Sequence, residues 1–251
     1  MIARHRLYIT CDNQRIIPSF WAYRAYSWLM SNVPEYIADD LHINAEKPIS
    51  TAIWYDKERN ANCWEVSTMA DYIEDAVFEL LGSIEEIPLN AALLRVVDRE
   101  CVRYDSPEEL VRMSDAISDA DKRLKLSFLT PTSFKQAGRY AIFPQIPLIL
   151  GSLARSWNMC FPEYCLSDDD ALEAIAQNLF IVDYSLRSAR YALKGMKIAG
   201  FYGDIIVESR LPSPLEAIWQ MMTAIAPLSG VGIKTALGMG KISCTRNIYG
   251  Q

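Results

Sequence analysis

The chain has 251 residues, 51% of them hydrophobic, and a net charge of −6 at neutral pH. That is apolar material for one large or two small cores, and no run of about 18 apolar residues exists to cross a membrane. The six cysteines (11, 63, 101, 160, 165 and 244) form no Cys-x-x-Cys pair and no zinc spacing with a histidine, which argues for buried reduced thiols rather than a disulfide framework or a zinc site. Met1–Arg6 is charged and has no apolar run behind it, unlike a secretory leader, so a cytoplasmic protein is expected.

In chain order, Arg4–Thr10 reads as a strand. Ser19–Asn32 is an aromatic-rich helix ended by Pro34, and Glu35–Leu41 a short second one. Ile49–Tyr55 and Asn62–Ser67 form a strand pair around the polar turn Asp56–Asn60. Met69–Leu81 carries Ile73, Val77, Leu80 and Leu81 at helical spacing, with Gly82 as the expected C-cap. Leu89–Tyr104 holds a closing strand, and the polar, acidic stretch 105–120 reads as a linker.

The second half repeats the order. Arg123–Leu129 is a strand and Pro144–Met159 a helix with Ile149, Leu150 and Leu153 on one side. Three aspartates after Ser167 open another helix, where they meet the positive end of its dipole. Leu179–Tyr191 and Lys197–Glu208 are long strands, Pro214–Ala226 a helix, and Gly240–Cys244 a last strand. The fold class is therefore α+β: two tandem ferredoxin-like, RRM-like βαββαβ domains, at 1–104 and 121–251, joined by the linker 105–120.

Charge is divided unevenly. Residues 1–120 hold 11 Lys/Arg against 21 Asp/Glu, and residues 121–251 hold 14 against 10. A polyanion would dock mainly on the second half.

The segment Gly230-Val-Gly-Ile-Lys-Thr-Ala-Leu-Gly-Met-Gly-Lys241 concentrates four glycines, two lysines and a hydroxyl. Glycines allow close backbone approach and positive φ, and successive amides can cradle an anion. Ile233 separates Gly232 from Lys234, which breaks a Walker A loop, and a helix rather than a strand precedes the glycines, which breaks a dinucleotide fingerprint. The segment suits contact with a sugar-phosphate chain, and on spacing alone a flexible hairpin or bulge fits it as well.

This segment resembles the C-terminal glycine-rich signature of the CRISPR repeat-processing endoribonucleases, of the repeat-associated RNA-binding superfamily. Phe128-Leu-Thr-Pro-Thr-Ser-Phe-Lys135 is similar to the segment opening their second domain. Phe143-Pro-Gln-Ile-Pro and Ser152-Leu-Ala-Arg-Ser-Trp-Asn158 are similar to the helix that follows, Gly200-Phe-Tyr-Gly203 to a strand, and Leu41-His42 to the end of the first helical region. The similarity runs through nearly the whole chain in the family's order.

The resemblance implies cleavage of precursor CRISPR RNA within its repeats, without cofactor or metal, by 2′-hydroxyl attack that leaves a 2′,3′-cyclic phosphate and a 5′-hydroxyl. It assigns His42 as general base or acid, Tyr26 as its proton-transfer partner, with Tyr23 one turn earlier as a substitute, and Lys47 as the cation for the developing charge. His5, the other histidine, sits in the first strand and is read as structural. The expected RNA contacts are Gly230, Gly232, Lys234, Thr235, Gly238, Gly240, Lys241, Arg123, Arg139 and Arg155. Lys122, Lys125, Lys135, Lys194 and Lys197 are further basic candidates. The partner is CRISPR repeat RNA, and effector-complex subunits and a second copy of the chain are partners that the resemblance admits. The alternative is a subunit that holds guide RNA without cutting it.

Overall fold

The computed structural model describes all residues except 13, 45, 91, 115, 117–121 and 247–251. The chain divides into two compact units, Met1–Tyr104 with Lys234–Met239, and Asp105–Ile233 with Gly240–Gln251.

Unit 1 runs β1 (Ile2–Thr10), a 3-10 turn Ser19–Trp21, α1 (Ala22–Met30), α2 (Glu35–Ile43), β2 (Ile49–Asp56), β3 (Ala61–Thr68), α3 (Asp71–Ser83), β4 (Glu86–Leu89) and β5 (Ala92–Tyr104). Its antiparallel sheet has the order β2-β3-β1-β5-β4. Apart from β4 on the edge, this is the ferredoxin-like order. One sheet face buries Leu7, Ile9, Trp64 and Val66 against Ala25, Leu29, Leu41, Ile73 and Val77 of the helices. Each such aliphatic side chain removed from water contributes about 1.5–3 kcal/mol.

Gly82 is not the C-cap of α3, which continues through it to Ser83. The Arg99 guanidinium donates to the carbonyls of Leu81, Gly82 and Ile84, so a side chain satisfies the last turn and no left-handed glycine is needed.

Unit 2 runs α4 (Pro107–Arg112), β6 (Arg123–Thr132), the hairpin β7 (Phe134–Gln136) and β8 (Arg139–Ala141), α5 (Ile146–Cys160), α6 (Asp169–Gln177), β9 (Leu179–Leu193), β10 (Met196–Ser209), α7 (Ser213–Ser229) and β11 (Ile242–Thr245). The sheet order β11-β6-β10-β9, all antiparallel, repeats that of unit 1. Leu124, Leu126, Phe128, Phe201, Ile205 and Ile242 face α5 and α7 in its core. Asp168 caps α6 by accepting from the Ala171 amide at 2.9 Å.

Two boundaries differ from the sequence reading. The stretch 105–120 is not all linker. Ser106 accepts from the Glu109 amide at 3.1 Å, Pro107 occupies the first turn, and Leu110 is buried, so α4 is a capped helix of unit 2. Residues 117–120 of that stretch lie outside the described residues. In addition, Lys234–Met239, inside the expected second domain, belongs to unit 1.

Candidate RNA-processing site

The glycine-rich segment is held by the other motifs that the sequence singles out. The Ile233 amide donates to the Ser133 carbonyl at 2.9 Å, the Gly240 amide to the Pro131 carbonyl at 3.1 Å, and the Lys241 amide to Thr130 Oγ1 at 3.0 Å. Ser152 of α5 accepts from the Gly232 amide at 2.9 Å. Gly232 has φ +87°, and a Cβ there would lie 2.3 Å from the Ser133 carbonyl oxygen. Gly200 of β10 supports the same segment, since a Cβ there would meet the Thr132 carbonyl oxygen at 2.4 Å. The motifs of unit 2 are thus one clamp, and its product is the fixed exit and return of the chain at Ile233 and Gly240.

Most of the segment is therefore not an open amide cradle. Gly230, Gly238, Gly240 and Lys241 are buried. The Lys241 ammonium donates to the Pro227 carbonyl in the last turn of α7, which makes it a helix-terminus cation. The amides of Gly230, Gly232, Gly240 and Lys241 are spent on Ala226, Ser152, Pro131 and Thr130. At these four positions, and at the buried Gly238, the segment packs against the protein rather than lying open to a ligand. The backbone needs glycine here to turn and to approach β6.

The exposed part is the apex. Lys234 is exposed in a left-handed conformation (φ 60°, ψ 33°) and opens a 3-10 turn, Thr235–Leu237. The Ala236 carbonyl accepts from Thr51 Oγ1 of β2 at 3.1 Å. The Ala236 methyl is buried in the core cluster of unit 1 that also holds Tyr26.

Three of the sequence-derived residues share unit 1 with this apex. Tyr26, on α1, is only 8% exposed, and burial pushes its phenol up to about 12. His42 is exposed in the last turn of α2. Lys47 donates to the Leu41 carbonyl and, at 2.9 Å, to that of Asn44. The Leu41 carbonyl belongs to the peptide leading into His42, so the ammonium sits against the backbone that carries the imidazole. Partial burial and then the nearby Lys234 charge lower the Lys47 pKa, against an opposing pull from Asp40. The sequence thus brings two lysines 187 positions apart near enough for one charge to lower the other's pKa.

The remaining candidates scatter. Arg123 is paired with Glu208 at 3.1 Å, Lys125 with Asp204 at 3.0 Å, and Lys122 with Glu216 at 3.7 Å. Arg139 and Arg155 are exposed and form no ion pair among the described residues. Tyr23 is half-buried on α1.

His5 is buried and shares Glu74 with Thr68 and Arg103, at 2.9, 2.6 and 3.1 Å. Sequence reasoning missed this cluster, because nothing in the spacing of positions 5, 68, 74 and 103 joins them. Cys101 completes a trio with His5 and Glu74 whose ligand atoms lie within 4.8 Å of one another. With Glu74 already engaged by Thr68 and Arg103, the trio is a polar cluster of the fold.

The family model "CRISPR-associated endoribonuclease Cas6" matches residues 126–242. The chain is 27% identical over 221 residues to a CRISPR-associated endoribonuclease Cas6 of Streptococcus thermophilus, covering 88% of this chain and 90% of that one. A Cas6 product complex superposes with a TM-score of 0.75 at 24% identity, over 97% of this chain and 100% of the other. Thermus thermophilus Cas6 superposes at 0.72 with 22% identity, over 97% and 98%. The tandem ferredoxin-like fold, the clamped glycine-rich segment and these relatives agree that the chain resembles the CRISPR repeat-processing endoribonucleases over nearly its full length.

Proposed function

We propose that this chain is an endoribonuclease that cuts precursor CRISPR RNA within its repeats, using residues gathered around the apex Lys234–Leu237. The observation that carries the reading is the Lys47 ammonium held against the Leu41–His42 peptide, with the exposed Lys234 of the apex near enough to lower its pKa, and with no ion pair to either lysine among the described residues. A bridging phosphate would relieve their repulsion.

The reaction divides among the groups as follows. His42 takes the proton from the 2′-hydroxyl or delivers one to the departing 5′-oxygen. The 2′-oxygen bonds to the adjacent phosphorus, the P–O5′ bond breaks, and the products are a 2′,3′-cyclic phosphate and a 5′-hydroxyl. Lys47 and Lys234 balance the extra charge on the pentacoordinate phosphorus. Tyr26, protonated at neutral pH, donates or orients. Each step is assigned to the protein's own groups and none to a metal. Arg139 and Arg155, exposed on unit 2, meet more of the repeat.

Incubation with repeat RNA in EDTA, beside His42→Ala, tests this. The expected result is one cut with cyclic-phosphate ends, lost in the variant. Cutting that survives in the variant moves the site away from His42. Binding without any cut makes the chain a holder of guide RNA and refutes the nuclease reading.

A further inference from the structure

The register of the β9–β10 ribbon sorts its side chains by face. Tyr184 pairs with Ile205, Leu186 with Gly203, Ser188 with Phe201, Arg190 with Ala199 and Ala192 with Lys197. Directly paired residues share a face, so Tyr184, Arg190 and Lys197 all lie on one side. No carboxylate occupies that side from Tyr184 to Ala192 or from Lys197 to Ile205. The opposite side carries Asp183 and Asp204, the second paired with Lys125.

On β10 this side is core, with Phe201 and Ile205 buried, but along the edge strand β9 it has an aromatic end at Tyr184 and a basic end at Arg190. Tyr184 is 63% exposed and Phe143 49%, and their rings meet edge to face at 6.0 Å and 84°. Arg190 and Lys197 are exposed and form no ion pair among the described residues. Tyr184 and Arg190 are about 20 Å apart along the strand. β6 pairs with β10 only between Phe201 and Glu208, so the ribbon continues beyond the sheet, yet its reverse side buries Tyr191, Leu193 and Ile198 at 1%, 4% and 3% exposure.

We infer that this strip binds a single-stranded stretch of RNA, its bases stacking on Tyr184 and Phe143 and its phosphates meeting Arg190 and Lys197. Exposed rings in a row with unpaired cations are what a single strand engages. A duplex keeps its base faces inside and could use the cations alone. The inference rests on the proposed reading of the chain as an RNA-processing protein and extends it to a second surface.

The probe is a short unstructured oligoribonucleotide carrying 2-aminopurine, measured with the whole protein at two salt concentrations. A perfectly paired RNA duplex is the control, and repeat-RNA cleavage is followed in the same preparations. Phe143→Ala/Tyr184→Ala is expected to weaken oligonucleotide binding about tenfold or more and to abolish quenching of the 2-aminopurine, with the salt slope kept. Arg190→Ala/Lys197→Ala is expected to lower the salt slope by about two. Tyr184→Phe keeps the ring and should bind as the parent does. Parental affinity and quenching in the aromatic double variant overturn the inference, as does absence of oligonucleotide binding by the parent. If the parent binds and quenches the oligonucleotide but leaves repeat RNA uncut, the nuclease reading fails and the strip stands. If the parent cuts but the variants bind like it, the strip alone fails.

Discussion

Replacing Gly232 by alanine probes the clamp at its tightest point. The residue has φ +87°, and the new Cβ would begin 2.3 Å from the Ser133 carbonyl oxygen, a backbone atom fixed in the chain leading out of β6. A left-handed conformation costs an L-residue about 1–2 kcal/mol. Moving the backbone away loosens the Ile233–Ser133 and Gly232–Ser152 hydrogen bonds, both 2.9 Å, at about 1 kcal/mol each. The total is about 3–4 kcal/mol, a fall in Tm of about 6–16 °C for a body of this size. The assay is thermal unfolding with repeat-RNA cleavage on the same samples, beside Gly82→Ala. Gly82 lies inside α3 with nothing within 4 Å of its added Cβ, so that control should be neutral or stabilise by up to about 1 kcal/mol. The reasoning is refuted if Gly232→Ala melts and cuts like the parent.

Lys234→Ala removes a positive neighbour from Lys47. With Lys47 acting as a cation, the basic limb of the pH–rate profile should move to higher pH, even as the rate falls. A limb that stays in place separates Lys47 from the reaction. Lys241→Met should lower stability by about 1.5–3 kcal/mol, the worth of a hydrogen bond from a charged group, and leave the salt slope of RNA binding unchanged. A slope reduced by about one would mark Lys241 as a phosphate contact after all. Burial alone would raise the Glu74 carboxyl, but hydrogen bonds from His5, Thr68 and Arg103 hold it below its ordinary value of 4.5. The folded pKa is the lower one, so the stabilisation is complete above about pH 4.5 and is lost as the pH falls through the folded value. Urea titrations across this range should show a steeper acid loss in the parent than in Glu74→Gln, and parallel curves would contradict the assignment.

The two sheets were legible in sequence from runs of β-rich residues, of which β6 alternates cleanly while β2 and β3 are buried on both faces, and from helices with clear apolar spacing. The two small hairpins were not. β4 contains Pro88, which normally argues against a strand and is tolerated here on a sheet edge. The β7–β8 turn uses Ala137-Gly138, with φ of 47° and 78°, where an Asn-Gly pair would have announced it. Helix α4 did carry a signal, Ser106-Pro107 followed by Glu109, but acidic composition masked it. At the site, residue types could be read and their burial could not. Glycine looks the same in sequence whether it opens a backbone to a ligand or lets two strands approach. Only the bonds from Thr130, Pro131 and Ser133, about a hundred positions away, show that Gly232 and Gly240 do the second.

Synthesis from the N-terminus gives the apex a meaning in time. The core of unit 1 takes in Ala236, and Thr51 waits for that residue's carbonyl. The first 104 residues are therefore made long before their packing is complete, because the missing piece lies beyond residue 233. Lys234 arrives with it, so a nascent or truncated chain lacks one of the two lysines beside His42. Under the proposed reading, a centre assembled in this order is incomplete until the apex Lys234–Leu237 has been made.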